Sequence, residues 1–163
     1  MKVVSMALAA GLALLATVDA RAQDAVLVIR HADKAGGDDP ALTDKGREQA
    51  ASWARMFKDA GIEAVFTSDA RRTRETGGII GATLGVPTVE IDRNDIQSLI
   101  GRVSEDHSDG VVLIVGHSET IPSILTELGH FDMVHVGASD FTSLFVVTAL
   151  ESDAPQVLRF RLP

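Results

Sequence analysis

Apolar and polar positions follow two rhythms along this chain. Ala25–Ile29 and Val111–Val115 are short, unbroken apolar runs rich in β-branched residues. Runs of that length with no polar face predict strands buried on both sides. Ala64–Thr67 and Thr88–Ile91 predict two more strands, and Ser143–Leu150 and Gln156–Arg159 two late ones at a sheet edge. Between them the period lengthens. Ala50, Trp53, Ala54 and Phe57 recur on one helical face, in a helix capped by Thr43, running to about Ala60 and ended by Gly61. A second helix starts at a cap on Ser68 or Asp69, reaches Leu84 and stops at Gly85. Ile96, Leu99, Ile100 and Val103 mark a third helix, and a fourth follows Gly116-His117-Ser118 as far as Leu128. Gly36, Gly37, Asp38, Asp39 and Pro40 make the segment from Ala35 a loop.

Strands alternating with helices predict a three-layer α/β/α sandwich with a mostly parallel central sheet. The first 22 residues fall outside that rhythm. Lys2 precedes an almost wholly apolar stretch, Val3–Val18, and Ala20-Arg21-Ala22 fits a signal-peptidase site. The stretch is shorter than the ~20 residues a spanning helix needs, so residues 1–22 are expected to be a signal peptide and 23–163 the folded domain. The expected location is periplasmic or secreted.

Composition narrows the chemistry. The chain of 163 residues carries a net charge of −8. The leader holds Lys2, Arg21 and Asp19, so the remaining domain is one unit more negative. An acidic domain repels nucleic acid and anionic membranes, so neither is expected as a partner. There is no cysteine, which excludes disulfides, thiolate metal sites and a cysteine nucleophile. The five histidines, His31, His107, His117, His130 and His135, form no His-x-x-x-His pair, so no metal and no cofactor is expected.

Ligands of a parallel sheet bind beyond the carboxyl ends of its strands. Arg30-His31, Ser68 and Gly116-His117-Ser118 each fall at such an end. Arg71, Arg72 and Arg74 lie in the first turns of the following helix, where free N–H groups and the dipole already favour anions. Arg72 shares a helical face with Thr76, Ile79, Ile80 and Thr83 and is expected nearest the sheet; Arg71 and Arg74 are expected in solvent. Two histidines and two arginines suit phosphoryl transfer. One imidazole attacks phosphorus, and the guanidinium forks match the phosphoryl oxygens. Flanking arginines should also lower the pKa of His31 and keep it neutral.

These residues resemble the histidine phosphatase superfamily, whose phosphatases and mutases share an Arg-His-Gly motif. Here it stands as Arg30-His31-Ala32, with alanine for glycine, similar to a smaller secreted bacterial subgroup. Leu42-Thr43-Asp44-Lys45-Gly46 resembles the family's Leu-Thr-x-x-Gly helix start. Ser68-Asp69-Ala70-Arg71-Arg72-Thr73-Arg74-Glu75-Thr76 resembles its Ser-x-Leu-x-Arg-x-x-Gln-Thr segment, and Val115-Gly116-His117-Ser118 its second histidine motif. The resemblance implies a phosphoglycerate mutase-like fold and a phosphoric monoester hydrolase of the histidine acid phosphatase type. It also implies that His31 becomes phosphorylated while Arg30, Arg72 and His117 are catalytic and bind the phosphoryl group of a small phosphorylated substrate.

A proton donor for the leaving oxygen is left open among Asp33, Glu90, Asp92 and Glu119. Two rival readings stand beside the phosphatase. One is a non-catalytic module that binds phosphate or sugar phosphate. The other is a serine esterase using Ser118, although Thr120 occupies the place where the nucleophile elbow wants a small residue.

Overall fold

The structure, a computed structural model, describes residues 25–107, 110–148, 150 and 155–162. The expected leader, 1–22, lies outside the described residues. In chain order the elements are β1 (Ala25–Arg30), α1 (Asp44–Met56), β2 (Ile62–Ser68), α2 (Arg71–Leu84), β3 (Thr88–Ile91), α3 (Ile96–Asp106), β4 (Val111–Gly116), α4 (Ile121–Glu127), β5 (Ser143–Thr148) and β6 (Gln156–Arg161). One six-stranded sheet has the order β3-β2-β4-β1-β5-β6. Its first four strands are mutually parallel; β5 and β6 are antiparallel to their neighbours. The expected α/β/α sandwich is what forms, with β6 at one edge and β5 paired on both sides.

The order explains the layers. The crossovers β1-α1-β2 and β2-α2-β3 run toward one edge of the sheet, whereas β3-α3-β4 runs back. Right-handed crossovers therefore put α1 and α2 on one face and α3 on the other. Successive strand residues divide between two cores accordingly. Leu27, Ile29, Val65, Leu113 and Val115 pack with Trp53, Ala54, Phe57 and Ile80. Val26, Val28, Phe66, Val112 and Ile114 pack with Leu99, Val103, Ile124 and Leu125. Trp53 is fully buried and stacks on Phe57, with ring centroids 5.4 Å apart.

Three helix boundaries differ from expectation. α1 ends at Met56, and residues 57–60 form a turn before Gly61, whose φ of 69° suits glycine. α4 starts only at Ile121, with Pro122 in its first turn. α2 has neither Ser68 nor Asp69 as its cap. Ala70 holds that position without a side-chain hydrogen bond, and Asp39, from the loop after β1, accepts from the backbone N–H of Arg71 at 2.8 Å. The loop 35–41 is thereby tied to the start of α2. On α2 itself the buried face is Arg72, Thr73, Thr76, Gly77 and Ile80; Ile79 is half-buried and Thr83 exposed, because Gly77 and Gly81 let this face of the helix approach β2 and β3 closely.

Gly46 shows why α1 begins as it does. Thr43 Oγ1 accepts from the Gly46 N–H at 3.0 Å, and a Cβ at Gly46 would collide with the carbonyl oxygen of Asp33. Backbone cannot yield as a side chain can. Gly46→Ala gains up to about 1 kcal/mol of helix propensity, yet overpacking of this kind costs roughly 1–3 kcal/mol or more. The expected net result is a lower urea midpoint together with displacement of the segment that follows His31.

Candidate active site

The parallel register brings the two histidine segments together. Arg30, the last residue of β1, is aligned with Gly116, the last of β4, and the His31 N–H donates to the Gly116 carbonyl at 2.9 Å. His31 and His117 consequently face each other with ring centroids 5.3 Å apart. Their exposures are 2% and 1%. His31 Nδ1 lies 2.8 Å from the carbonyl oxygen of Ala32. A carbonyl only accepts, so Nδ1 carries the proton and Nε2 keeps its lone pair.

His117 is held from both sides. Arg72 donates from an Nη to His117 Nδ1 at 3.1 Å, and His117 Nε2 lies 2.8 Å from Ser68 Oγ. Ser68 Oγ is in turn 2.7 Å from Thr73 Oγ1, whose hydroxyl donates to the Ala70 carbonyl at 2.7 Å. Arg30 is anchored by carbonyl oxygens of Gly137 and Ala138, and its guanidinium sits 4.4 Å from the Phe141 ring centroid. The Nε atoms of Arg30 and Arg72 are buried and find no acceptor among the described residues. Buried N–H groups normally have partners, and two unpaired guanidinium donors beside two imidazoles suit the oxygens of an anion.

Residues 26–94, which carry the first three motifs, match the histidine phosphatase superfamily (branch 1). No curated protein sequence matches the chain. Among solved structures, the mycobacterial glucosyl-3-phosphoglycerate phosphatase superposes with a TM-score of 0.69 at 14% identity, covering 86% of this chain and 100% of that one. A proposed phosphohistidine phosphatase, SixA, from Agrobacterium tumefaciens gives 0.66 at 21% identity, covering 85% and 97%. YhfR of Bacillus stearothermophilus gives 0.63 at 15% identity, covering 76% and 90%. These likenesses show a shared fold.

The alanine after His31 has a definite place in this fold. Ala32 is fully buried against Leu42 and Ala50, and its N–H donates to Thr76 Oγ1 at 3.1 Å. Of the three arginines early in α2, only Arg72 is buried, and it reaches His117. Arg71 pairs with the half-buried Glu75 at 2.7 Å and Arg74 with the exposed Glu90 at 3.6 Å, both arginines lying on the surface. Asp69 pairs with Arg93 at 3.0 Å at the rim.

The four carboxylates left open in the sequence now separate. Asp33 accepts from the Thr43 hydroxyl at 2.9 Å, Asp92 from the Asn94 N–H at 2.8 Å, and Glu90 is the partner of Arg74. Glu119 lies close enough for its charge to act on both Arg30 and His117. Burial alone would raise its pKa, but the backbone, the Ser118 hydroxyl at 3.0 Å and the charge of Arg72 together hold it below the usual range.

The segment from His130 to Phe141 is readable from the sequence as a wall of the site, but its hold on Arg30 is not. Gly137, Ala138 and Phe141 lie over a hundred positions downstream in an irregular segment with no periodicity to read. Asp140 secures that loop by pairing with Arg159 of β6 at 2.7 Å and accepting from Ser143 at 2.8 Å. The expected lowering of the His31 pKa by flanking arginines is present, with burial as the larger cause. Its pKa is pushed down to about 3 by burial first; Arg30, His117 and Arg72 add to this, and the Ala32 hydrogen bond opposes it. His117 is held at about 4, again by burial first and Arg72 second.

Both folded pKa values lie below the unfolded value of about 6.5. The unfolded chain therefore binds more protons as pH falls, and the stability contributed by the neutral imidazoles, full above pH 6.5, is lost toward pH 4 and below. The expected slope is up to about 1.4 kcal/mol per pH unit for each histidine. Urea midpoints between neutrality and mild acid should show it, with a flatter profile for a His31→Gln, His117→Gln double variant.

Proposed function

We propose that this chain is a phosphomonoesterase that passes the phosphoryl group of a small substrate through His31. The observation that carries this reading is a buried, neutral His31 with Nε2 unpaired among the described residues, packed edge-on against His117, which Arg72 in turn holds. In the proposed reaction, Nε2 attacks phosphorus, the P–N bond forms and the P–O bond to the leaving alcohol breaks. Arg30, Arg72 and His117 stabilise the charge on the equatorial oxygens. Glu119 is the best-placed carboxyl to protonate the leaving oxygen once a bound phosphoryl dianion opposes its ionisation. Water then attacks the phosphohistidine, and the imidazole leaves with its lone pair restored.

The low pKa of His31 leaves the nucleophile uncharged well into acid, which fits a histidine acid phosphatase type. Reading residues 1–22 as a signal peptide supports a periplasmic or secreted location, where phosphosugars of the envelope are suitable substrates. The Ala32 variant of the motif supports a small secreted bacterial subgroup. The names of the structural neighbours, a glucosyl-3-phosphoglycerate phosphatase and a proposed phosphohistidine phosphatase, both describe removal of a phosphoryl group. The acidic surface disfavours nucleic acid as substrate.

Radiolabelled phosphomonoesters, rapid quenching and a search for an acid-labile, base-stable label test the reading. Label and phosphate release are expected. A folded protein that binds phosphate yet shows neither across a broad substrate panel is a binding module instead. Ser118 donates to Glu119, and neither histidine is its partner. Ser118→Ala should therefore keep most of the rate, whereas a serine esterase would lose nearly all of it.

A further inference from the structure

We propose that Ser68 is a positioning residue that fixes the tautomer of His117, so that anion binding in this pocket is coupled to uptake of one proton at His117 Nδ1. The proposal rests on reading the pocket as a phosphoryl site and assigns a role to a residue outside the four that surround the phosphoryl group.

The hydrogen bonds admit one consistent set of donors. An arginine only donates, so His117 Nδ1 accepts from Arg72 and carries no proton. The ring proton is on Nε2, and Nε2–H donates to Ser68 Oγ. Thr73 gives its own hydroxyl proton to the Ala70 carbonyl, which leaves its oxygen free to accept from Ser68. Ser68 and Thr73 are both buried, so no water competes for these positions. The chain Arg72, His117, Ser68, Thr73, Ala70 thus runs in one direction and commits Nε2 to the serine.

That commitment has a consequence for the anion. The nitrogen on the Arg72 side of the ring presents a lone pair, which repels a phosphoryl oxygen. It becomes a donor only by taking a proton from solvent, after which Arg72 is released to turn its own N–H to the anion. The charged and titratable groups around the ring set the balance. Arg30 and His31 face it from the end of β1, Arg72 from α2, and Glu119 from the turn before α4. Asp92, Arg93 and Asp95, between β3 and α3, line a common cavity with it. Before an anion arrives, burial and Arg72 keep the ring neutral at neutral pH; a bound dianion opposes both. Without the Ser68 oxygen, Nε2 loses its acceptor. The neutral ring can then shift its proton to Nδ1 and donate to the anion with no proton taken up.

Sulfate is a suitable probe because it stays a dianion throughout the range tested. With the wild-type chain labelled with ¹⁵N, long-range proton–nitrogen correlations should show His117 as the Nε2–H tautomer. The sulfate dissociation constant should rise by up to tenfold per pH unit over part of the range from about pH 5 to about 8. In Ser68→Ala the Nδ1–H form should become populated and the slope should fall by at least half. Ser68→Thr, which keeps the oxygen, should retain the wild-type slope. A wild-type His117 carrying its proton on Nδ1, a sulfate affinity that ignores pH, or no sulfate binding at all would each overturn the proposal. So would a Ser68→Ala variant with unchanged tautomer and slope. If that variant does not fold, the wild-type tautomer and slope decide the matter. A chain that passes these tests but forms no phosphoenzyme is not a phosphatase, and the assignment of Ser68 stands apart from that failure.

Discussion

Replacing His31 by alanine is expected to abolish the phosphoenzyme and to lower kcat by on the order of 10⁴-fold or more, as removal of a covalent nucleophile does. No other group can take its place. His117 is bound at both ring nitrogens, by Arg72 and Ser68, whereas His31 keeps Nε2 free because Nδ1–H is satisfied by Ala32 of its own segment. The variant should fold, since His31 makes no side-chain hydrogen bond beyond that one among the described residues, and the β1–β4 register is held by backbone. Its urea transition should be less sensitive to acid than that of the wild type, because one buried imidazole no longer has to stay neutral. Single-turnover assays with the purified variant provide the check, and turnover within tenfold of wild type would sink the proposed mechanism.

Arg72→Ala is expected to cost on the order of a hundredfold to a thousandfold in kcat, the range for one pre-organised donor aimed at developing charge. Three features place it above its neighbours. Arg72 is only 8% exposed, its Nε has no acceptor among the described residues, and it holds His117 Nδ1. Arg71 and Arg74 are committed to Glu75 and Glu90, so alanine there should change kcat by less than about threefold, consistent with the small energies of exposed ion pairs. Arg72→Lys should recover part of the loss, because a point charge attracts the anion without the planar fork that meets two oxygens at once. Steady-state kinetics of the three alanine variants side by side separates these effects.

Much of this molecule is legible in its amino-acid sequence alone. The apolar runs ending in Ile29 and Val115 have no polar face to offer solvent, so they form doubly buried strands. Because those strands are parallel, Arg30-His31, Ser68 and Gly116-His117 emerge along one edge. The helical period of Arg72 with Thr76 and Ile80 puts that arginine, and neither Arg71 nor Arg74, on the buried face of α2. Strand and helix identities, the fold class and the meeting of the two histidine segments follow from such regularities.

Tertiary structure decides what depends on groups far apart in sequence. Asp39 caps α2 across a gap of 32 residues, while Ser68, whose Oγ accepts from the Ala70 N–H at 3.3 Å, is also the partner of His117. The loop at Gly137 and Ala138 fixes Arg30 through backbone carbonyls, and any residue type supplies a carbonyl, so no side-chain signal marks it. The same holds for Gly46, whose need to lack a Cβ comes from the Asp33 carbonyl lying against it. Neighbouring charge suggests a depressed His31 pKa from the sequence, but burial is the larger cause. How deeply a ring beyond a strand end is covered is a property of the packed site, and the spacing that marks a helix face does not encode it.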